Sequence, residues 1–211
     1  MRSKPVKVKI CGITRLKDAL VALHAGCDAL GFIFYRKSPR YISPARACLI
    51  SQHLPTDTIT IGVFVNARAS AIKDIARRCG LRILQFHGDE SPAFCRQFKN
   101  FKIIKAFRIT NRIDMNAVAR YDVFAYLFDA FSPSRRGGTG RQFNWELLDC
   151  SGKIKKPIFL SGGLNPGNVA RAVELVQPAW VDVSSGVESR PGIKDPRTVR
   201  RFIAAVKKPR R

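Results

Sequence analysis

Short runs rich in Val, Ile, Leu and Phe alternate from one end of the chain to the other with stretches that read as helices. Eight such runs, at 6–11, 29–34, 58–65, 83–86, 102–107, 123–128, 157–160 and 180–183, predict strands. Helices are predicted over 16–25, 44–53, 70–79, 92–98, 166–176 and 195–207. The pairs Ser43-Pro44, Ser91-Pro92 and Asn165-Pro166 mark helix starts. The first residue offers a side-chain oxygen to a free amide, and proline at the first helical position lacks an N–H that would find no partner anyway. Between the sixth and seventh strands, around 145–150, the helix limits stay open.

Strands that alternate with helices build a parallel sheet, because a parallel return needs a crossover. The strand ends lie about 25 residues apart. Eight such units predict the α/β class and a (β/α)8 TIM barrel. A doubly wound sheet would place its Gly-rich turn after the first strand. Here Gly162-Gly163 and Gly186 follow the seventh and eighth strands, where barrels often hold a phosphate. The chain has 211 residues, fewer than the ~250 typical of the fold. A single barrel domain over 1–211 is therefore expected, with few insertions and a short basic C-terminal end.

Composition narrows the class. Hydrophobic residues make up 45% and charged residues 25%, which excludes a disordered basic tail, and 15 Gly with 12 Pro exclude a low-complexity chain. The six cysteines, Cys11, Cys27, Cys48, Cys79, Cys95 and Cys150, form no CxxC pair, so no zinc ribbon or other metal site is expected. The start carries no apolar signal region, and the longest apolar stretch, around 29–35, is too short to cross a bilayer. A reduced, cytoplasmic protein with no membrane partner is expected, its cysteines mostly small core residues.

The charge is the abnormal quantity: 38 Lys+Arg against 15 Asp+Glu, a net +23. It raises nucleic acid as a partner. Residues 200–211 hold six Lys+Arg and no acid, yet the remainder still carries +17, so the excess is spread. With no zinc-finger, helix-turn-helix or RRM signature, no specific nucleic-acid partner is expected.

Candidate chemistry gathers at strand ends, where barrels of this kind carry their catalytic side chains. Cys11, His87, Asp129 and Asp182 stand at the ends of strands one, four, six and eight. Singly, Cys11 reads as a core residue, His87 as a turn residue and Asp129 as a helix cap; together with Asp182 they converge on one barrel mouth. Side chains alternate along a strand, so Lys9 shares a face with Cys11, and Gln85 with His87. A lumen ammonium needs a carboxylate, and Asp182 or Asp129 can supply it. The turns Ser161-Gly162-Gly163 and Ser184-Ser185-Gly186 suit an anion, through close-lying backbone amides and two hydroxyls. Arg36, Lys37 and Arg40 follow strand two; the first two read as solvated, and Arg40 as a match for a carboxylate. The glycines in 131–140 suggest a flap over the site.

These motifs give the chain a family likeness. It resembles the phosphoribosylanthranilate isomerases over nearly its whole length. The segments that carry the likeness run from Val8-Lys9-Ile10-Cys11-Gly12-Ile13-Thr14 through Gly31-Phe32-Ile33-Phe34-Tyr35, Ser38-Pro39-Arg40-Tyr41-Ile42 and Gly62-Val63-Phe64-Val65-Asn66. They continue through Leu84-Gln85-Phe86-His87-Gly88, Leu127-Phe128-Asp129, Gly137-Gly138-Thr139-Gly140, Phe143-Asn144-Trp145 and Ser161-Gly162-Gly163-Leu164-Asn165-Pro166 to Val181-Asp182-Val183-Ser184-Ser185-Gly186-Val187-Glu188.

The resemblance implies an Amadori rearrangement of N-(5-phosphoribosyl)anthranilate with no cofactor, because the substrate nitrogen is itself the electron sink. It implies Asp129 as general acid, Cys11 as general base, Arg40 as clamp of the anthranilate carboxylate and Asp182 as a polar partner of the reacting atoms. Gly162, Gly163, Ser184, Ser185 and Gly186 are implied as the phosphate cradle, and His87 matches the motif as a binding or structural group. Phe86, Ala130 and Asn144 stand where Leu, a hydroxyl residue and Asp are common. The chemistry asks that Lys9 and nearby cations lower the Cys11 thiol, and that Asp129 be raised so as to hold its proton. A histidine-pathway isomerase running the same rearrangement would carry Asp where Cys11 stands. The implied partner is a small anion bearing phosphate and carboxylate, and the assembly a monomer or homodimer.

Overall fold

The computed structural model describes residues 5–109, 113–130, 145 and 154–208. Eight parallel strands close into a barrel in sequence order. They are β1 (Lys7–Cys11), β2 (Ala29–Ile33), β3 (Thr60–Phe64), β4 (Ile83–Phe86), β5 (Lys102–Ile109), β6 (Ala125–Ala130), β7 (Ile158–Leu160) and β8 (Trp180–Val183). Closure comes from β1 pairing β8, with Lys9 opposite Asp182 and Ile10 opposite Val183. The crossovers are α1 (Leu16–His24), α2 (Pro44–Gln52), α3 (Ala69–Arg78), α4 (Pro92–Cys95, continued by a 3-10 turn over Arg96–Phe98), α5 (Met115–Ala119), α6 (Val169–Val176) and α7 (Pro196–Lys207).

Alternation divides the apolar residues into two cores. Outward side chains such as Val8, Ile10, Leu84 and Val181 pack under the helices. Inward ones (Ala29, Ile61, Ile83, Ile104, Ala125, Leu127, Phe159 and Trp180 among them) fill the lumen. Phe159 stacks on Trp180 at 4.8 Å, and the Lys7 ammonium lies 5.3 Å from the Trp180 ring. Strands buried on both faces read as nearly continuous apolar runs, which is why the sequence marks them so clearly. β4 and β8 fall where expected, and the other six differ by a few residues at their ends.

The helix starts are mixed. Ser43 accepts from the Arg46 amide and Ser91 from the Phe94 amide, as the Ser-Pro pairs predict. Asn165-Pro166 does not open a helix: α6 begins at Val169. The Asn165 side chain takes the Gly167 amide, and Asn168 takes the Asn165 amide while donating to the Gly163 carbonyl. The two side-chain amides thus fold this stretch into a turn that braces the glycine pair. The sequence reading also missed α5, capped by Asp114. It missed a small hairpin after β8 as well, β9 (Glu188–Arg190) with β10 (Ile193–Lys194).

Cys48 on α2 and Cys79 after α3 form a disulfide, with Cα atoms 4.3 Å apart. This pair departs from the expectation of a reduced protein. Neighbouring barrel helices bring together two residues 31 apart in sequence, and no local pattern announces that. Cys11, Cys27 and Cys95 are free thiols. No described helix is long and apolar enough to cross a membrane. The expected flap over 131–140 and the last basic residues, 209–211, lie outside the described residues.

Candidate active site

The C-terminal ends of the strands open on a cleft that encloses about 520 Å³, open solvent included. Cys11, Arg40, Gln85, His87, Asp129, Asp182 and Ser184 line it. A second hollow of about 300 Å³ shares Asp129, Ser161, Asp182 and Ser184 and adds Gly162, Gly163 and Ser185. All but one of the expected site residues therefore border one connected space. Gly186 stands behind it, against the Leu164 carbonyl.

One layer below the mouth, Lys9 Nζ donates to Asp182 Oδ1 at 2.8 Å, and the Lys9 side chain is fully buried. Of the two carboxylates that the sequence left open, the β1–β8 register selects Asp182. Burial lowers the Lys9 pKa, but the charges of Asp182 and Cys11 outweigh it and hold it above the ordinary range. Cys11 shifts opposite to the expectation. Burial pushes the thiol up, Asp182 adds to that, and the pull of Lys9 and Lys194 is too weak to reverse it. A buried thiolate loses its hydration, and one cation already neutralised by Asp182 does not replace it.

His87 bridges β4 and β6. Its Nε2 lies 3.2 Å from Asp129 Oδ2, and its Nδ1 lies 2.9 Å from Gln85 Nε2. The Gln85 oxygen is buried with no donor among the described residues. An orphan of this kind costs about 1–3 kcal/mol. Two residues that the sequence reading did not single out hold this corner. Glu90 accepts from the Asn66 and Gly88 amides and from Lys105 Nζ at 3.0 Å, while Lys105 also donates to the Phe86 and Gly88 carbonyls. The loop that carries His87 is thus fixed by a buried ion pair. The available signal was a lysine inside an apolar strand, Lys102-Ile103-Ile104-Lys105-Ala106-Phe107.

Arg40 is buried, and its Nε and Nη2 both donate to the Glu188 carboxylate, the Nη2 bond at 2.8 Å. Glu188 also accepts from Lys194 at 2.7 Å. Desolvation leaves the Lys194 pKa below the ordinary range even though Glu188 opposes it. This Arg40–Glu188–Lys194 cluster was not foreseen, because it depends on the hairpin after β8. Two Nη1 protons and one Nη2 proton of Arg40 remain for a ligand, enough for an end-on fork to a carboxylate.

The anion candidate is built from backbone. Gly162 and Gly163 both have positive φ, 89° and 67°, which only glycine adopts readily in succession. The N–H groups of Gly162, Gly163, Ser185 and Gly186 have no acceptor among the described residues. A row of unpaired amides in such turns is an anion nest. The two hydroxyls differ: Ser184 Oγ donates to the Cys11 carbonyl at 3.1 Å and ties β8 to β1. At Gly186 a methyl group would fall on the Leu164 carbonyl oxygen. Gly186→Ala is expected to lower stability by about 1–3 kcal/mol through overpacking and to weaken binding of inorganic phosphate, read by thermal melting with and without the ion.

The chain is similar to known proteins over nearly its whole length. The family model for N-(5'-phosphoribosyl)anthranilate (PRA) isomerase matches residues 8–205. The chain belongs to the PRA isomerase family. It is 52% identical over 202 residues to the N-(5'-phosphoribosyl)anthranilate isomerase of Citrifermentans bemidjiense, covering 96% of this chain and 97% of that one. The crystal structure of the Thermotoga maritima phosphoribosyl anthranilate isomerase superposes with a TM-score of 0.90 at 43% identity, over 96% and 98% of the two chains. A PRA isomerase crystallised with reduced 1-(o-carboxyphenylamino)-1-deoxyribulose 5-phosphate gives a TM-score of 0.87 at 42% identity, over the same shares. The PRA isomerase assignment covers the whole barrel, from β1 to α7.

Proposed function

We propose that Cys11 and Asp129 carry the isomerisation of N-(5'-phosphoribosyl)anthranilate, the activity of the family to which this chain belongs and a step of tryptophan biosynthesis. The observation that supports this most is the shared cavity, with an acid on β6 and a thiol on β1 beside a nest of unpaired amides. Asp129 gives its proton to the ribose ring oxygen. The C1′–O bond breaks, its electron pair stays on that oxygen, and the nitrogen lone pair forms the C=N of a Schiff base. Cys11, as thiolate, removes the C2′ proton, and those electrons flow into the C=N to give an enolamine. Tautomerisation gives the ketone, 1-(2-carboxyphenylamino)-1-deoxyribulose 5-phosphate. The C2′–H pair becomes the C1′=C2′ bond and the C=N pair returns to nitrogen, so no electron leaves the substrate and no cofactor is called for.

Around these two, Arg40 receives the anthranilate carboxylate on its free edge while Glu188 holds the other. Gly162, Gly163, Ser185 and Gly186 receive the phosphate, and Ser184 ties their turn to Cys11. Asp182 faces the reacting atoms while neutralising Lys9, and His87 holds Asp129. A protein making these reactions in a biosynthetic pathway is read as cytoplasmic.

The test is turnover of phosphoribosylanthranilate by the wild type and by Arg40→Lys. The wild type is expected to turn over. The lysine variant keeps a charge but loses the fork, and its KM is expected to rise by about 10- to 100-fold. Its kcat is expected to change far less, because the clamp sits away from the reacting bonds. An unchanged KM would remove Arg40 from the carboxylate site, and a wild type without turnover would overturn the whole reading.

A further inference from the structure

His87 contacts Asp129 with one ring nitrogen and Gln85 with the other. Gln85 is two residues upstream on β4, is 1% exposed, and points its amide along the same face of the strand. An amide nitrogen carries donors only. Facing Nδ1 at 2.9 Å, it requires a lone pair on that atom, so the ring proton sits on Nε2 and His87 donates to Asp129 Oδ2. Had the amide oxygen faced the ring, Nδ1 would carry the proton, and Nε2 would accept from a protonated Asp129. The amide orientation therefore decides on which side of the His87–Asp129 contact the shared proton lies.

A second observation bears on that orientation. Gln85 Oε1 is buried and has no donor among the described residues. The amide nitrogen lies on the ring, and the oxygen is left unsatisfied on the far side. The other charged groups in the corner are already committed. Lys105 and Glu90 pair beneath the His87 loop, Lys9 and Asp182 pair in the lumen, and Arg40 is held by Glu188.

We propose that Gln85 is a positioning residue that fixes His87 in the Nε2–H tautomer, so that His87 grips Asp129 Oδ2 and leaves Oδ1 to deliver the proton. The proposal rests on the reading of Asp129 as the acid. A carboxyl group held through one oxygen presents the other in a fixed direction. The same Nε2–H bond stabilises the carboxylate left after the proton has gone. In this way a neutral amide that never touches the transferred proton governs the acid step.

The test uses the full chain and needs no substrate for its first part. The chain has three histidines, His24, His53 and His87, so long-range proton–nitrogen-15 correlation resolves each ring. At alkaline pH the wild-type His87 is expected to show a protonated Nε2 and a bare Nδ1. Gln85→Glu sets an acceptor against Nδ1 and is expected to move the proton there. It is expected to lower kcat for phosphoribosylanthranilate about 10-fold or more, with KM within about threefold, because the acid step is disturbed and the binding groups are not. Gln85→Leu keeps the volume without an amide and is expected to leave His87 a mixture of tautomers, with a smaller loss of kcat. A wild-type His87 protonated on Nδ1 would overturn the proposal. So would an unchanged kcat in Gln85→Glu, or equal losses in both variants with the tautomer unmoved. If the glutamate variant fails to fold, the wild-type spectrum and the leucine variant decide. Failure of Asp129 as the acid would show separately, in Asp129→Asn turnover, with the tautomer unaffected.

Discussion

Cys11→Ala is expected to lower kcat/KM for phosphoribosylanthranilate by about 10²- to 10⁴-fold, the usual contribution of a positioned proton-transfer group. Asp129→Asn is expected to do the same. The thiol is 5% exposed and Asp129 4%, and each sits at a strand end, so neither truncation removes much of the core. The Asn variant keeps the shape and one hydrogen bond to His87 but has no acidic proton to give. The double variant is expected to lose much less than the product of the single losses, because the two groups serve successive steps of one reaction. Steady-state kinetics on the three variants, with circular dichroism to show that they fold, checks this. Near-normal turnover by either single variant would remove that residue from the chemistry.

Lys9→Met is expected to be the most destabilising single change, at about 3–5 kcal/mol. The methionine fills the lysine's volume, but Asp182 is left as an unpaired carboxylate in the lumen. The loss is mostly the penalty of that orphan charge rather than the worth of the pair, because two buried ions give up hydration about as large as their attraction. Adding Asp182→Asn should therefore recover much of the stability. Denaturant midpoints of the single and double variants measure this directly. The single variant is also expected to be slower, because Lys9 is the main charge drawing the Cys11 thiol toward its ionised form. Equal midpoints for wild type and Lys9→Met would refute the role given to the pair.

Much of the site is legible in the sequence alone. Cys11, Asp129 and Asp182 end strands, and the strands are plain because both of their faces are buried. Lys9 follows from Cys11 by alternation alone. The glycine pair announces a turn that few other residues can make. Where the sequence misled, two local signals competed. Asn165-Pro166 has the form of a helix start, but the Asn165 and Asn168 amides satisfy the backbone as a turn instead, and α6 waits until Val169. Short elements such as α5 and the β9–β10 hairpin are too brief for a periodic signal.

The sequence by itself determined the order of strands and helices, the barrel they close into, and the strand ends at which the reactive side chains stand. These depend on neighbours two to four positions apart, which a linear pattern records. Only the tertiary structure decided which charges meet. Lys9 pairs with Asp182, 173 residues away, because β1 and β8 close the barrel in that register. Arg40 meets Glu188, 148 residues away, because the hairpin after β8 folds beside the loop after β2. The sign of the Cys11 shift belongs to this second group. It depends on how far burial outweighs a cation that Asp182 has already engaged, and burial and engagement both arise when the barrel closes.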